Sequence, residues 1–200
     1  MDNDYSVQIS DYIIDNQAEL ESDALLNLGE FDVRRPAIRR KLVVSYRNGF
    51  TPAYNAFTLF KNSPVWQGLL SELCTRILEF YKSQDIADVD RTSTLFLKAW
   101  VNLASPENVL GWHKHAGLFH GYLAISPQGT MTQFSGEHRQ FLVENKVGTV
   151  YFGPAGLAHR VLVTQTFGKF RRLTIGFDIL DTLAHTTYPT NLYIPIPVAG

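Results

Sequence analysis

Only one cysteine, Cys74, occurs in this chain of 200 residues, so no internal disulfide can form. The segment Met1 to Ser10 lacks the basic and apolar regions of a signal peptide, and together these absences make a reducing cytoplasm the expected compartment. No apolar run approaches the roughly 20 residues that a membrane-spanning helix needs. Neither sign of charge dominates: 18 Lys and Arg against 19 Asp and Glu leave a formal net charge of −1, so nothing draws the whole chain to nucleic acid or anionic lipid. The one local basic run, Arg34, Arg35, Arg39, Arg40 and Lys41, reads as a solvated face or a subunit contact.

Apolar bulk is what the chain has in plenty. Hydrophobic residues make up 45%, with 13 Phe, 9 Tyr and 3 Trp to fill a core. A chain of this length buries about 70% of its unfolded surface without covalent help, and one domain is the default. Residues 1–92 read as a mixed, helical support, 93–182 as the β-rich core and 183–200 as an extended arm.

In the first part, Asn16 to Leu28 carries good helix formers, with Gly29 where a helix could end. Pro64 to Tyr81 is the firmer helix. Ser63 can cap it, Pro64 suits its first position, and Trp66, Leu69, Leu70, Leu73, Ile77 and Phe80 recur every three or four residues. Lys41 to Tyr46 is a further strand candidate. From Thr94 on, short β-rich runs follow at close spacing: Leu95 to Leu103, Phe119 to Ile125, Thr130 to Phe134, Gln140 to Val143, Thr149 to Phe152, Val161 to Thr164 and Leu173 to Leu180. That spacing favours a sandwich or barrel over a parallel sheet with crossover helices. The tail from Tyr188 alternates apolar residues at Leu192, Ile194, Ile196 and Val198, and is expected to lie along the body or a neighbouring subunit, a hint of a homodimer.

Chemistry concentrates in two places. Gly111-Trp112-His113-Lys114-His115 and, far downstream, Gly153-Pro154-Ala155-Gly156-Leu157-Ala158-His159 hold three of the six histidines. On a strand, residues two apart share a face, so His113 and His115 can turn both rings inward and His159 can complete a facial set with open positions. Imidazole suits Fe, Cu, Ni and Zn alike, so the ligands do not choose the metal. Arg172 and Thr174 also share a face, and a guanidinium fork beside a hydroxyl is a suitable receptor for a carboxylate.

In order and spacing, Trp100-Val101-Asn102, His113-x-His115, Gly121-Tyr122, Pro127, Gly148 to His159 and Arg172-Leu173-Thr174 resemble the 2-oxoglutarate and Fe(II)-dependent oxygenases. The resemblance implies a double-stranded β-helix, or jelly roll, mainly β with helices at the N-terminus. It implies His113 and His159 as iron ligands, and Arg172 with Thr174 as the clamp for the far carboxylate of 2-oxoglutarate. The reaction it implies is hydroxylation of a small molecule or peptide, with succinate and carbon dioxide as co-products. Where that family carries Asp or Glu, this chain has His115, which leaves open a three-histidine site, two histidines with water, or a dead site. A second resemblance is to the cupins, through His113-x-His115 and Gly148, Pro154, Gly156 and His159. The usual cupin glutamate falls at or near His120, and Val163 stands where an asparagine is usual. Cupins share the jelly roll but do not require 2-oxoglutarate.

Each feature also has a plainer explanation. Two histidines on one strand face are commonly solvent-exposed, and a lone Arg172 is commonly a surface ion-pair partner. Trp100 is assigned to packing, whereas Trp112 fits either packing or a pocket wall. His120, His138 and His185 have no partner in register, and Cys74, on the apolar side of the long helix, is assigned no role.

Overall fold

A computed structural model describes residues 5–34, 54–84, 94–104, 109–136, 140–165, 172–184, 186 and 189–198, the side chains of 27–34 excepted. The strand expected at Lys41 to Tyr46, the basic side chains of 34–41, His138 and His185 lie outside the described residues.

Two antiparallel sheets form a jelly roll. We number the strands β1 (Ser6–Ile9), β2 (Thr94–Ala104), β3 (Phe119–Ser126), β4 (Thr130–Ser135), β5 (Gln140–Asn145), β6 (Thr149–Pro154), β7 (Ala158–Val163), β8 (Arg172–Leu180) and β9 (Ile194–Pro197). The larger sheet runs β1-β6-β3-β8-β2-β9 and the smaller β5-β4-β7. All seven runs expected from Thr94 onward form strands, although β7 starts three residues before Val161 and so includes His159.

The larger sheet is buried on both faces, because helices cover one and the smaller sheet the other. In β8, Leu173, Ile175, Phe177 and Ile179 enter the helix-side core, while the alternate residues Arg172, Thr174, Gly176 and Asp178 face the smaller sheet. Every residue of β3 is buried for the same reason.

The helices are α1 (Asp11–Asp15), α2 (Gln17–Arg34), α3 (Ala56–Leu59) and α4 (Pro64–Ser83). In α4 the hydroxyl of Ser63 accepts from Trp66 N, Pro64 opens the first turn, and Val65, Trp66, Leu69, Leu73, Ile77, Phe80 and Tyr81 are buried. Phe80 stacks on Phe152 and meets the edge of Phe119, each at 5.1 Å, which fixes the helix against β3 and β6. Each of these large side chains contributes about 1.5–3 kcal/mol on burial, so α4 is the main clamp on the helix side of the sheet.

One expectation needs correcting. Gly29 does not end α2, which continues to Arg34, since one interior glycine costs only about 1 kcal/mol relative to alanine and flanking helix formers offset it. The tail lies along the body, the first of its two expected places: β9 pairs with β2 at the sheet edge, where Pro195 and Pro197 are tolerated for want of a further strand, and Ile196 is buried. Asn55, the cap of α3, ties this edge down by donating to Leu97 O at 3.0 Å and Leu192 O at 3.1 Å. Among the described residues no helix is long and apolar enough to cross a membrane.

Candidate metal centre

Residues 110–115 run antiparallel to β7 as a loop rather than as a named strand. Val161 N donates to Leu110 O at 2.9 Å, and His113 and His159 exchange both backbone hydrogen bonds at 3.0 Å. This reciprocal pairing puts the two side chains on one face, with ring centroids 4.3 Å apart. A bond from His115 N to Ala155 O, 3.1 Å, continues the track and brings the His115 ring to 5.2 Å from His159. The expected convergence of His113, His115 and His159 is therefore present. One ring nitrogen from each lies within 4.8 Å of the others, close to the roughly 4.2 Å that two metal–nitrogen bonds can bridge.

The other ring nitrogens are occupied by acceptors. His113 Nδ1 lies 2.7 Å from Gly111 O, and His159 Nδ1 lies 3.2 Å from Leu157 O. Carbonyl oxygens only accept, so both rings carry their proton on Nδ1 and leave Nε2 bare, the form a metal ligand needs. His115 Nδ1 lies 2.8 Å from Asp178 Oδ1, an ion-pair approach that falls off the N–H axis and is not an aligned hydrogen bond. Burial favours the neutral rings of His113 and His159: it lowers the first and pushes the second down to about 2, with the surrounding imidazoles adding to the effect on His159.

His120 belongs here too, which corrects its assignment as a residue without partners. It is 1% exposed, its ring lies parallel to His159 at 4.6 Å and to His115 at 5.0 Å, and its Nδ1 is 2.9 Å from Pro154 O. Burial pushes it down to about 3. The available signal was a lone histidine in a strand whose other residues all read as buried.

A pH prediction follows. His120 and His159 stay neutral in the folded chain but take up protons near pH 6.5 once unfolded, so their stabilising contribution is complete above that pH. Below it stability declines by about 1.4 kcal/mol per pH unit for each such histidine, until the folded group itself titrates. Denaturant melts of chelator-treated protein between pH 7 and 5 should show this slope, and His120→Gln should flatten it by up to that amount. An unchanged slope in the variant would contradict the burial argument.

The cleft below these rings has a volume of about 580 Å³, its open mouth included, and is lined in part by Trp100, Asn102, Tyr122, Thr132, Arg172 and Thr174. Arg172 and Thr174 are 3% and 1% exposed and sit together on the wall, as their spacing implied. Arg172 Nε donates to Thr130 Oγ1 at 3.2 Å, across to the smaller sheet. Asn145 Nδ2 donates to the same oxygen at 3.1 Å and to Thr132 Oγ1 at 3.2 Å, so a buried polar network aims the guanidinium. Thr130, Thr132 and Asn145 were not foreseen as site residues. Alternate threonines facing inward along one strand were the only sign of them.

Trp100 lines the cleft as well as packing, and its indole stacks on His115 at 5.4 Å. It lies directly opposite Gly176, where an added Cβ would come within 2.7 Å of the ring. Gly176→Ala should therefore displace Trp100 and cost about 1–3 kcal/mol, a melting shift of roughly 2–10 °C for a chain of this size. A variant that melts with the wild type would refute this packing. Trp112, 45% exposed, lies outside the cleft with the Arg160 guanidinium 4.9 Å from its ring centre. Cys74 is partly buried, and burial pushes its thiol up to about 11, which keeps it inert.

No protein-family model matches the chain, and no curated protein matches its sequence. Solved structures do match. A prolyl-4-hydroxylase from Pseudomonas putida superposes with a TM-score of 0.51 at 12% identity, over 87% of this chain and 86% of that one. An oxidoreductase of the 2OG-Fe(II) oxygenase family from Burkholderia pseudomallei gives a TM-score of 0.46 at 17% identity, over 60% of each chain. A cupin domain from Bordetella pertussis gives 0.33 at 15% identity, over 46% of this chain and 86% of that one. The chain thus spans 60% of the length of the Burkholderia protein and 23% of a longer chain that also matches. At these identities the likeness establishes the jelly roll; the chemistry must come from the residues.

Proposed function

We propose that this protein is an Fe(II)- and 2-oxoglutarate-dependent oxygenase that hydroxylates a small molecule or peptide. The supporting observation is that one cleft holds three imidazoles with converging nitrogens, two of them fixed in the form that leaves Nε2 bare, and, on the inner face of β8, a buried guanidinium with a hydroxyl beside it. Arg172 and Asp178 are six residues apart on that face, roughly 20 Å along the strand. The side chains of Arg172 and Thr174 nevertheless line the same cleft as the three histidines, so cation and imidazoles face one cavity.

His113, His115 and His159 would hold the iron, and the donor set fits it: neutral nitrogen ligands, each turned by an outer oxygen. Iron and 2-oxoglutarate bound there would supply oxygen-dependent hydroxylation coupled to decarboxylation of 2-oxoglutarate to succinate and carbon dioxide. The protein's own part is to bind and exclude. Arg172 and Thr174 take the far carboxylate of the cosubstrate, Trp100 holds the His115 ring in place, and the buried walls favour the neutral rings of His113 and His159.

The test is succinate formation by the purified chain with Fe(II), ascorbate, oxygen and 2-oxoglutarate, with and without candidate substrates. Succinate above a chelator control is expected. A second reading, a cupin-type metalloprotein without 2-oxoglutarate, is favoured by the fourth imidazole, His120, against the cluster and by the lack of a carboxylate among the three converging groups. Under that reading metal binds and no succinate appears.

A further inference from the structure

We infer that Asp178 is a positioning residue for the metal: its carboxylate, 2.8 Å from His115 Nδ1, favours the Nδ1–H form of that ring, so that Nε2 is left for the ion, and it supplies from behind the ligand the negative charge that three neutral imidazoles lack. The inference rests on the reading of the histidine cluster as a metal centre.

Three observations carry it. First, Asp178 Oδ1 is 2.8 Å from His115 Nδ1 and the two side chains are only 13% and 11% exposed, so water does not dissolve the pair as it would on a surface. Second, the acceptors differ in kind. His113 and His159 turn Nδ1 toward neutral backbone carbonyls, and only His115, at the position where the resembled family carries its carboxylate, faces an ionisable acid. A carboxylate acceptor makes the far nitrogen of the ring a stronger donor to a metal. Third, Asp178 is built into the sheet. It lies on the inner face of β8 with Arg172 and Thr174, in register with Lys98 on β2 and His120 on β3. Lys98 is itself 1% exposed and stands directly across from Asp178 on the neighbouring strand. A bystander ion pair would have no reason to point into the only ring of the three that replaces a carboxylate.

The experiment uses the full chain and two readouts. Manganese(II) affinity is measured by calorimetry for wild type and Asp178→Asn, with melting of the metal-free forms as a fold control. A loss of 10- to 100-fold in affinity with little change in the metal-free melting temperature is expected. Nitrogen-15 long-range NMR of the Zn(II)-loaded wild type then reads the His115 tautomer, and the Nδ1–H form is expected. In Asp178→Asn the amide can instead donate to Nδ1, and the tautomer balance should shift toward Nε2–H. Wild-type affinity in the variant overturns the proposal, as does an Nε2–H His115 in the wild type, a result that stands even if the variant fails to fold. Failure of the wild type to bind either metal would instead overturn the metal centre, and this inference with it.

Discussion

Replacing His159 by alanine should remove the stabilisation that metal gives this protein and end metal-dependent turnover. His159 is the hub of the cluster: its ring lies 4.3 Å from His113, 5.2 Å from His115 and 4.6 Å from His120. An ion held at 100 times its dissociation constant stabilises the folded state by about 2.7 kcal/mol. For a chain of this size that corresponds to a melting shift of roughly 5–10 °C. His159→Ala should show none of it. The metal-free variant should still fold, because the ring it loses is uncharged and its side chain makes only a long 3.2 Å contact to Leu157 O. A variant that keeps both the metal shift and turnover would end the three-histidine proposal.

Arg172→Ala should weaken 2-oxoglutarate binding by roughly 30- to 1000-fold, the equivalent of about 2–4 kcal/mol for hydrogen bonds to a charged group. The guanidinium is buried in the wall of the cleft, and Thr130, with Asn145 and Thr132 behind it, holds its Nε side. Arg172→Lys keeps the charge but loses the planar fork, and should lie between wild type and alanine. Manganese affinity without cosubstrate should hardly change in either variant. An alanine variant with unaltered 2-oxoglutarate affinity would show that the clamp is misassigned even if the metal is right.

The parts of this protein that could be read from sequence were those with a local pattern. The short β-rich runs of β2, β3 and β8 and the three-to-four-residue recurrence in α4 located those elements to within a few residues. Arg172 and Thr174 were legible as a pair because they obey the two-residue alternation of a strand. Asp178 obeys it too, four residues beyond Thr174 on the same face, yet its partner His115 sits in a loop whose path depends on backbone bonds to residues 155–161. His120 was hidden for a related reason: its neighbours come from β6, β7 and the 110–115 loop, all brought together only by folding. The four-residue β1 has too little pattern to announce itself and forms because a sheet edge is waiting for it; the alternation at Ile194 and Ile196 was legible, but not that it would pair with β2.

The most direct test of the central claim is a melting scan of metal-stripped protein with Mn(II), a redox-inert stand-in for Fe(II), in the presence and absence of 2-oxoglutarate. The account predicts a rise with metal and a further rise with 2-oxoglutarate that requires the metal to be present. A metal response with no increment from 2-oxoglutarate would contradict the oxygenase and favour the cupin-type reading. No response to either would contradict the metal centre itself.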